Sequence, residues 1–168
     1  AQPIISYNYG ARNGGRVKKA YALLLKSSLC YSVLLWALVM LFPQVFAGLF
    51  TSDPALLEFT QTALRVYMAC LLLFGIQIAC QMAFTSLGNA KASILVAVMR
   101  KFILLIPLIY LLPQIMTSNQ TMAVYLAEPI ADFLAVSFTA VLFIFQFKKA
   151  LKGISDTDKE STLKTITT

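Results

Sequence analysis

The chain has 168 residues, 59% of them hydrophobic and only 12% charged, with a formal net charge of +7 and a mean hydropathy of +0.76. Average globular chains carry about twice that charge, so an ordinary soluble domain is excluded. There is no histidine, which removes the commonest general base and metal ligand together.

In chain order, the first feature is the basic, glycine-rich stretch QPIISYNYGARNGGRVKKAY, preceding a long apolar run. The opening AQPIISYNY is apolar and lacks an initiator methionine, so residues 1–14 read as the end of a preceding helix and a loop, in a piece of a longer protein. GARNGGR lacks the Gly-Lys-Ser/Thr ending of a phosphate loop and follows no strand, so its glycines read as a tight connection. Two charge-free runs follow, Ser27–Ser52 with 26 residues and Val66–Ala90 with 25. Each exceeds the ~20 residues that cross a bilayer core. Backbone groups cannot face lipid unpaired, so the spans must be helical.

Four spans are expected, at about residues 15–46, 54–87, 90–112 and 121–152. Pro43 marks the far end of the first. Asp53-Pro54 reads as an N-cap with proline at N1, and Gly88-Asn89 as a helix stop. Pro113 ends the third span, and residues 153–168 form a polar tail without regular structure. Cys30, Cys70 and Cys80 all fall in the spans and are expected to pack as small hydrophobes, without disulfides. The fold class is therefore an all-α membrane protein.

The basic residues set an orientation. Arg12, Arg16, Lys18, Lys19 and Lys26 flank the start of the first span, Lys91, Arg100 and Lys101 the start of the third, and Lys148, Lys149, Lys152, Lys159 and Lys164 follow the fourth. If those ends share one side, only Arg65 among the cations lies on the other, with Asp53 and Glu58. The positive-inside rule then places both ends of the chain in the cytoplasm. The positive charge is a topology signal, and no nucleic-acid partner is expected.

Several stretches resemble the multidrug and toxic compound extrusion (MATE) family. QPIISYNYGARNGGRVKKAY resembles the end of the family's eighth helix and the loop after it, and LFTSDPALLEFTQTALRVYMA its ninth-to-tenth helix junction. GIQIACQMAFTSLGNAKASILVAVMRKFILLIPLIYLLP resembles its tenth helix, turn and eleventh helix, and VYLAEPIADFLA the start of its twelfth. The resemblance is collinear over about residues 1–152. It implies a twelve-helix antiporter of two six-helix lobes in a bacterial cell membrane. That antiporter works as a monomer and exports cationic amphipathic drugs against a sodium or proton gradient. This chain would supply four helices of one lobe, with the amino-terminal lobe of the same polypeptide as partner.

Two constellations carry candidate chemistry. Glu128 and Asp132 lie four residues apart on one face of the fourth span. They sit about 10 and 16 Å from its start at 1.5 Å per residue. A mid-membrane aspartate costs on the order of 2.5–3.5 kcal/mol to insert, so such residues face a bundle interior and serve a purpose. Coupling-ion binding, with a sodium ion or proton at Asp132, competes with purely structural pairing and with interfacial solvation. The same face continues through Ala135, Thr139 and Gln146, and Pro129 frees the Tyr125 carbonyl. The second constellation is Cys70, Phe74, Gln77, Gln81, Thr85 and Gly88 on the second span. Gln77, Gln81 and Thr85, with Thr139, are candidate substrate-cavity residues, because neutral amides accept varied cations. They serve equally as glue between helices.

Arg65 either snorkels to the outer headgroups or pairs with Glu128. Arg100 and Lys101 are expected at the inner interface, with Ala90–Met99 extending beyond the membrane. Trp36, Tyr67, Tyr110 and Tyr125 fall toward the outer halves, as an aromatic belt or, less simply, a drug-binding box. The sequon at Asn119 is taken as chance. The competing functions are a lipid-linked oligosaccharide flippase of the same superfamily, a self-contained four-helix exporter and an intramembrane enzyme. The enzyme finds no supporting motif, so no catalytic residue is assigned.

Overall fold

The computed structural model describes residues 1–117 and 119–166, with side chains described as far as Ile154. Eight α-helices are found among them: α1 (Gln2–Gly10), α2 (Gly14–Leu41), α3 (Pro43–Gly48), α4 (Pro54–Tyr67), α5 (Phe74–Ser86), α6 (Ala90–Val98), α7 (Ile106–Ile115) and α8 (Gln120–Ile166). Four helical stretches are long and apolar enough to cross a membrane: Gly14–Leu41, Pro54–Ser86, Ala90–Ile115 and Gln120–Ile154.

The turns between helices follow local chemistry. After α1, the Asn13 N–H donates to the Asn8 carbonyl at 2.8 Å and the Arg12 N–H to the Tyr9 carbonyl at 3.1 Å. This pattern, a Schellman motif, needs a left-handed residue, and Arg12 supplies it with φ 57°. After α5 the motif recurs: Asn89 donates to Phe84 at 2.9 Å and Gly88 to Thr85 at 3.1 Å, with Gly88 at φ 74°. In both turns an asparagine then caps the next helix, Asn13 accepting from the Arg16 N–H at 3.1 Å and Asn89 from the Ala92 N–H at 3.3 Å. Arginine in the left-handed position costs roughly 1–2 kcal/mol that glycine does not.

The first span was expected to reach residue 46 but stops at Leu41. Pro43 disfavours a helical conformation at Phe42 and cannot donate a bond, so the chain re-enters as the short α3. Asp53 caps α4 as expected, accepting from the N–H groups of Ala55 at 2.9 Å and Leu56 at 3.3 Å. At the other end of the third span, Pro113 does not stop the helix; it sits inside α7, which runs on to Ile115. Asn119 of the sequon caps α8, taking the Met122 N–H at 3.1 Å. The expected structureless tail is corrected as well, because the α8 backbone is helical to Ile166. Gly153 alone costs only about 1 kcal/mol in a helix interior. No proline follows it to break the backbone ladder.

The second span is not one helix. α4 ends at Tyr67, a single 3₁₀ turn covers Leu71–Leu73, and α5 starts at Phe74. Two carbonyls at this break take bonds from α2: the Trp36 indole N–H donates to Ala69 at 3.1 Å and the Ser32 hydroxyl to Leu72 at 3.1 Å. Gly75 lets the two helices come this close, since a Cβ there would lie 2.6 Å from the Ser28 carbonyl oxygen and from Ser32 Oγ.

α5 is the central element, packed against α2 on one side and α8 on the other, while α8 also contacts α4 and α7. The main core cluster joins Cys80, Ala83 and Phe84 of α5 to Ala92, Val96 and Phe143. Tyr21 and Phe147 close over Phe143 at centroid distances of 4.6 and 4.9 Å. All three cysteines are free.

Candidate functional site

The third span is irregular where its charges lie: Met99–Leu105 forms a π-helical stretch between α6 and α7. Widened turns of this kind re-aim side chains and recur at functional sites. They place Arg100 and Lys101 opposite the acid pair of α8. Arg100 Nε donates to Asp132 Oδ1 at 2.6 Å, Arg100 Nη2 lies 3.4 Å from Glu128 Oε1, and Lys101 Nζ lies 3.2 Å from the same oxygen. The guanidinium also lies over the Phe74 ring, 5.0 Å from its centroid, a favourable cation–π placement. Side-chain exposures are 18% for Arg100, 11% for Glu128, 13% for Asp132 and 50% for Lys101, so three of the four are largely shut off from solvent.

Arg100 and Lys101, expected to interrupt the third span at the inner interface, lie in its π-helical stretch, ten and eleven residues past Ala90, with Arg100 largely shut off from solvent and Lys101 half exposed. Of the two roles weighed for Arg65, pairing with Glu128 is not the one found: Arg65 is exposed, and both partners of Glu128 come from the third span. The acid pair does face inward, on the side of α8 that also buries Ala131, Ala135 and Thr139.

Tyr67, Met68, Leu71 and Phe74 from the broken second span complete a pocket of about 150 Å³ with Arg100, Glu128 and Asp132. Hence a break in the second span, a π-helical stretch in the third and Pro129 in the fourth converge on one charged cluster. Irregular backbone inside a membrane protein is tolerated where it is packed by protein or lines a cavity, and transporters use it to build sites.

A sodium ion at Asp132 would have to share its oxygen with a guanidinium already 2.6 Å away. A cation reaching the pair from water therefore competes with Arg100.

Gln77 is buried in α5 and Thr139 in α8, and Oε1 of the first and Oγ1 of the second lack hydrogen-bond partners. Gln81 is half-buried, while Thr85 is exposed and donates to the Gln81 carbonyl at 3.1 Å. Gln146 instead meets Asn89. Of the four belt aromatics, only Tyr67 and Tyr125 meet, edge-on at 6.5 Å; Phe59 joins them at 6.2 Å from Tyr125, a contact the sequence reading missed.

Membrane-length helices, broken at the level of a buried charge cluster, define a polytopic membrane protein of transporter type. A family model described as MatE matches residues 1–111, and the chain belongs to that family. It also superimposes on the ligand-bound MATE multidrug transporter DinF-BH, with a TM-score of 0.80 at 33% identity over 89% of this chain and 33% of that one. An inward-facing multidrug resistance MATE family transporter of the MOP superfamily matches with a TM-score of 0.82 at 20% identity, over 90% of this chain and 35% of that chain. A protein of Shewanella oneidensis named as an FAD transporter is 31% identical over 106 residues, which are 63% of this chain and 24% of the relative. The chain thus spans about a quarter to a third of the length of these proteins. The family and these structural neighbours are transporters rather than enzymes.

Proposed function

We propose that this chain forms part of one lobe of a multidrug efflux antiporter in the cell membrane, exporting cationic amphipathic compounds against inward proton or sodium flow. The observation that carries this is the buried cluster of Arg100, Lys101, Glu128 and Asp132 beside the break in the second span. In such a cluster, an ion that neutralises Asp132 competes with the hold on Arg100, which changes the packing of the third and fourth spans against each other. A site whose occupancy differs between two states is what ion coupling requires. Family membership and the likeness to the multidrug transporter DinF-BH support the substrate class. The basic residues then lie on the cytoplasmic side, and both ends of the described chain with them.

A flippase for pyrophosphate-linked sugars calls for a strongly cationic cavity. Here the two interior cations are matched by two acids, which favours the antiporter. Export of an anionic flavin dinucleotide is the second reading, favoured by the relative named as an FAD transporter.

The test is ethidium efflux by the intact transporter in vesicles with an imposed ion gradient. Asp132→Asn is expected to impair gradient-driven efflux more than Glu128→Gln at matched protein levels, because the deeper carboxylate holds Arg100 at the shorter distance. Full efflux with unchanged gradient dependence in Asp132→Asn would remove the cluster from the coupling mechanism.

A further inference from the structure

The two helix-to-helix turns at the basic end of the lobe share one backbone pattern and differ at its left-handed position. One has Gly88 there and the other Arg12. An L side chain is disfavoured in that conformation. Gly10, Gly14 and Gly15 stand within three residues of Arg12, yet none of them has positive φ. Backbone strain of this kind persists where something else benefits from it.

The side chain concerned lines a cleft of about 540 Å³, together with Tyr9, Phe84, Asn89, Gln146 and Lys149. Half-buried Tyr9, Leu87 and Ala150 supply its apolar floor, while Phe84 is fully buried. The two exposed cations Arg12 and Lys149 border this apolar floor, and no carboxylate lines the cleft among the described residues. The cleft lies where the second membrane-length stretch ends at Ser86, among the basic residues that flank the spans, while α8 runs on past it to Ile166.

We infer that this cleft binds an anionic phospholipid, with the headgroup phosphate at Arg12 and Lys149 and the glycerol and upper acyl carbons against Tyr9 and Leu87. Cations at the rim match the phosphate; the apolar floor matches a lipid and gives a free phosphate ion nothing to bury. A strained arginine earns its place where glycine would serve the backbone better. The inference goes beyond transport and does not depend on which compound is exported.

The experiment uses the intact transporter in neutral detergent, with native mass spectrometry counting bound phosphatidylglycerol and thermal unfolding followed in parallel. Arg12→Gly is the informative variant, since glycine suits the left-handed turn. It is expected to unfold no earlier than the wild type without lipid, while binding phosphatidylglycerol about fivefold more weakly. Lys149→Gln should weaken binding by a similar factor, and phosphatidylcholine should bind both variants as it binds the wild type. Wild-type phosphatidylglycerol affinity in Arg12→Gly would overturn the inference. Earlier unfolding of Arg12→Gly without lipid would also overturn it, by showing that the arginine serves the fold. Competition by soluble glycerol phosphate as effective as by the lipid would replace a lipid site by a free-phosphate site.

Discussion

Asp132 and Arg100 illustrate how little a membrane interior tolerates a lone charge. Each is shielded, and each has its nearest opposite charge on the neighbouring span. Removing one partner of such a pair leaves the other uncompensated, at about 3–5 kcal/mol. Asp132→Asn should therefore lower the unfolding temperature in detergent. The double change Asp132→Leu with Arg100→Leu should recover most of the loss, because an apolar pair of similar volume leaves no stranded charge. Additive losses in thermal unfolding would show that the two side chains act separately. Gly75 gives a second prediction at this scale. Alanine there places a methyl 2.6 Å from the Ser28 carbonyl, so Gly75→Ala should destabilise by about 1–3 kcal/mol. Gly48, with nothing within 4 Å of an added Cβ, should accept alanine with no more than a few tenths of that effect.

At the scale of elements, the break in the second span is the feature that sequence patterning does not show. The stretch MACLLLF is apolar throughout and contains neither proline nor glycine, so nothing local interrupts a helical reading. The cause is tertiary: Ser32 and Trp36 of α2 offer donors to the Leu72 and Ala69 carbonyls. Trp36→Phe removes one of these donors. It should speed amide hydrogen exchange over residues 68–73 while leaving α7 unchanged; exchange unaltered in that segment would mean the break is held by other contacts.

Helix ends were legible where they rest on local signals, as with the start at Asp53 and the stop at Gly88-Asn89; the cap that Asn89 also gives the next helix was not read. The inward face of Glu128 and Asp132 was legible from depth and periodicity. Their partners were not, because hydrophobicity placed Arg100 and Lys101 near an interface. One signal was present in the spacing. The third and fourth spans are neighbours joined by a short loop, and Arg100 lies fifteen residues before Ile115 while Asp132 lies twelve after Gln120. Counted outward from their shared loop, the two charges reach nearly the same depth.

At the scale of the whole molecule, the described residues supply four membrane-length helices that alternate along the chain with turns at the basic end and at the opposite end. The proposed orientation rests on the cations at the ends of the spans. In a background without Cys30, Cys70 and Cys80, a cysteine at Ser52 should be labelled from outside the cell and one at Asn89 only after the membrane is opened. The reverse pattern would invert the topology.

The central claim is that the charge cluster couples ion movement to export and is more than a brace. A charge swap, Arg100→Asp with Asp132→Arg in the intact transporter, separates the two roles because it keeps an ion pair and reverses which span carries the acid. Gradient-driven ethidium efflux should then be lost or uncoupled from the ion gradient, while the unfolding temperature returns most of the way to that of the wild type from the value of either single variant. Efflux that still follows the ion gradient in the swapped protein would contradict the account and leave the cluster as a structural pair.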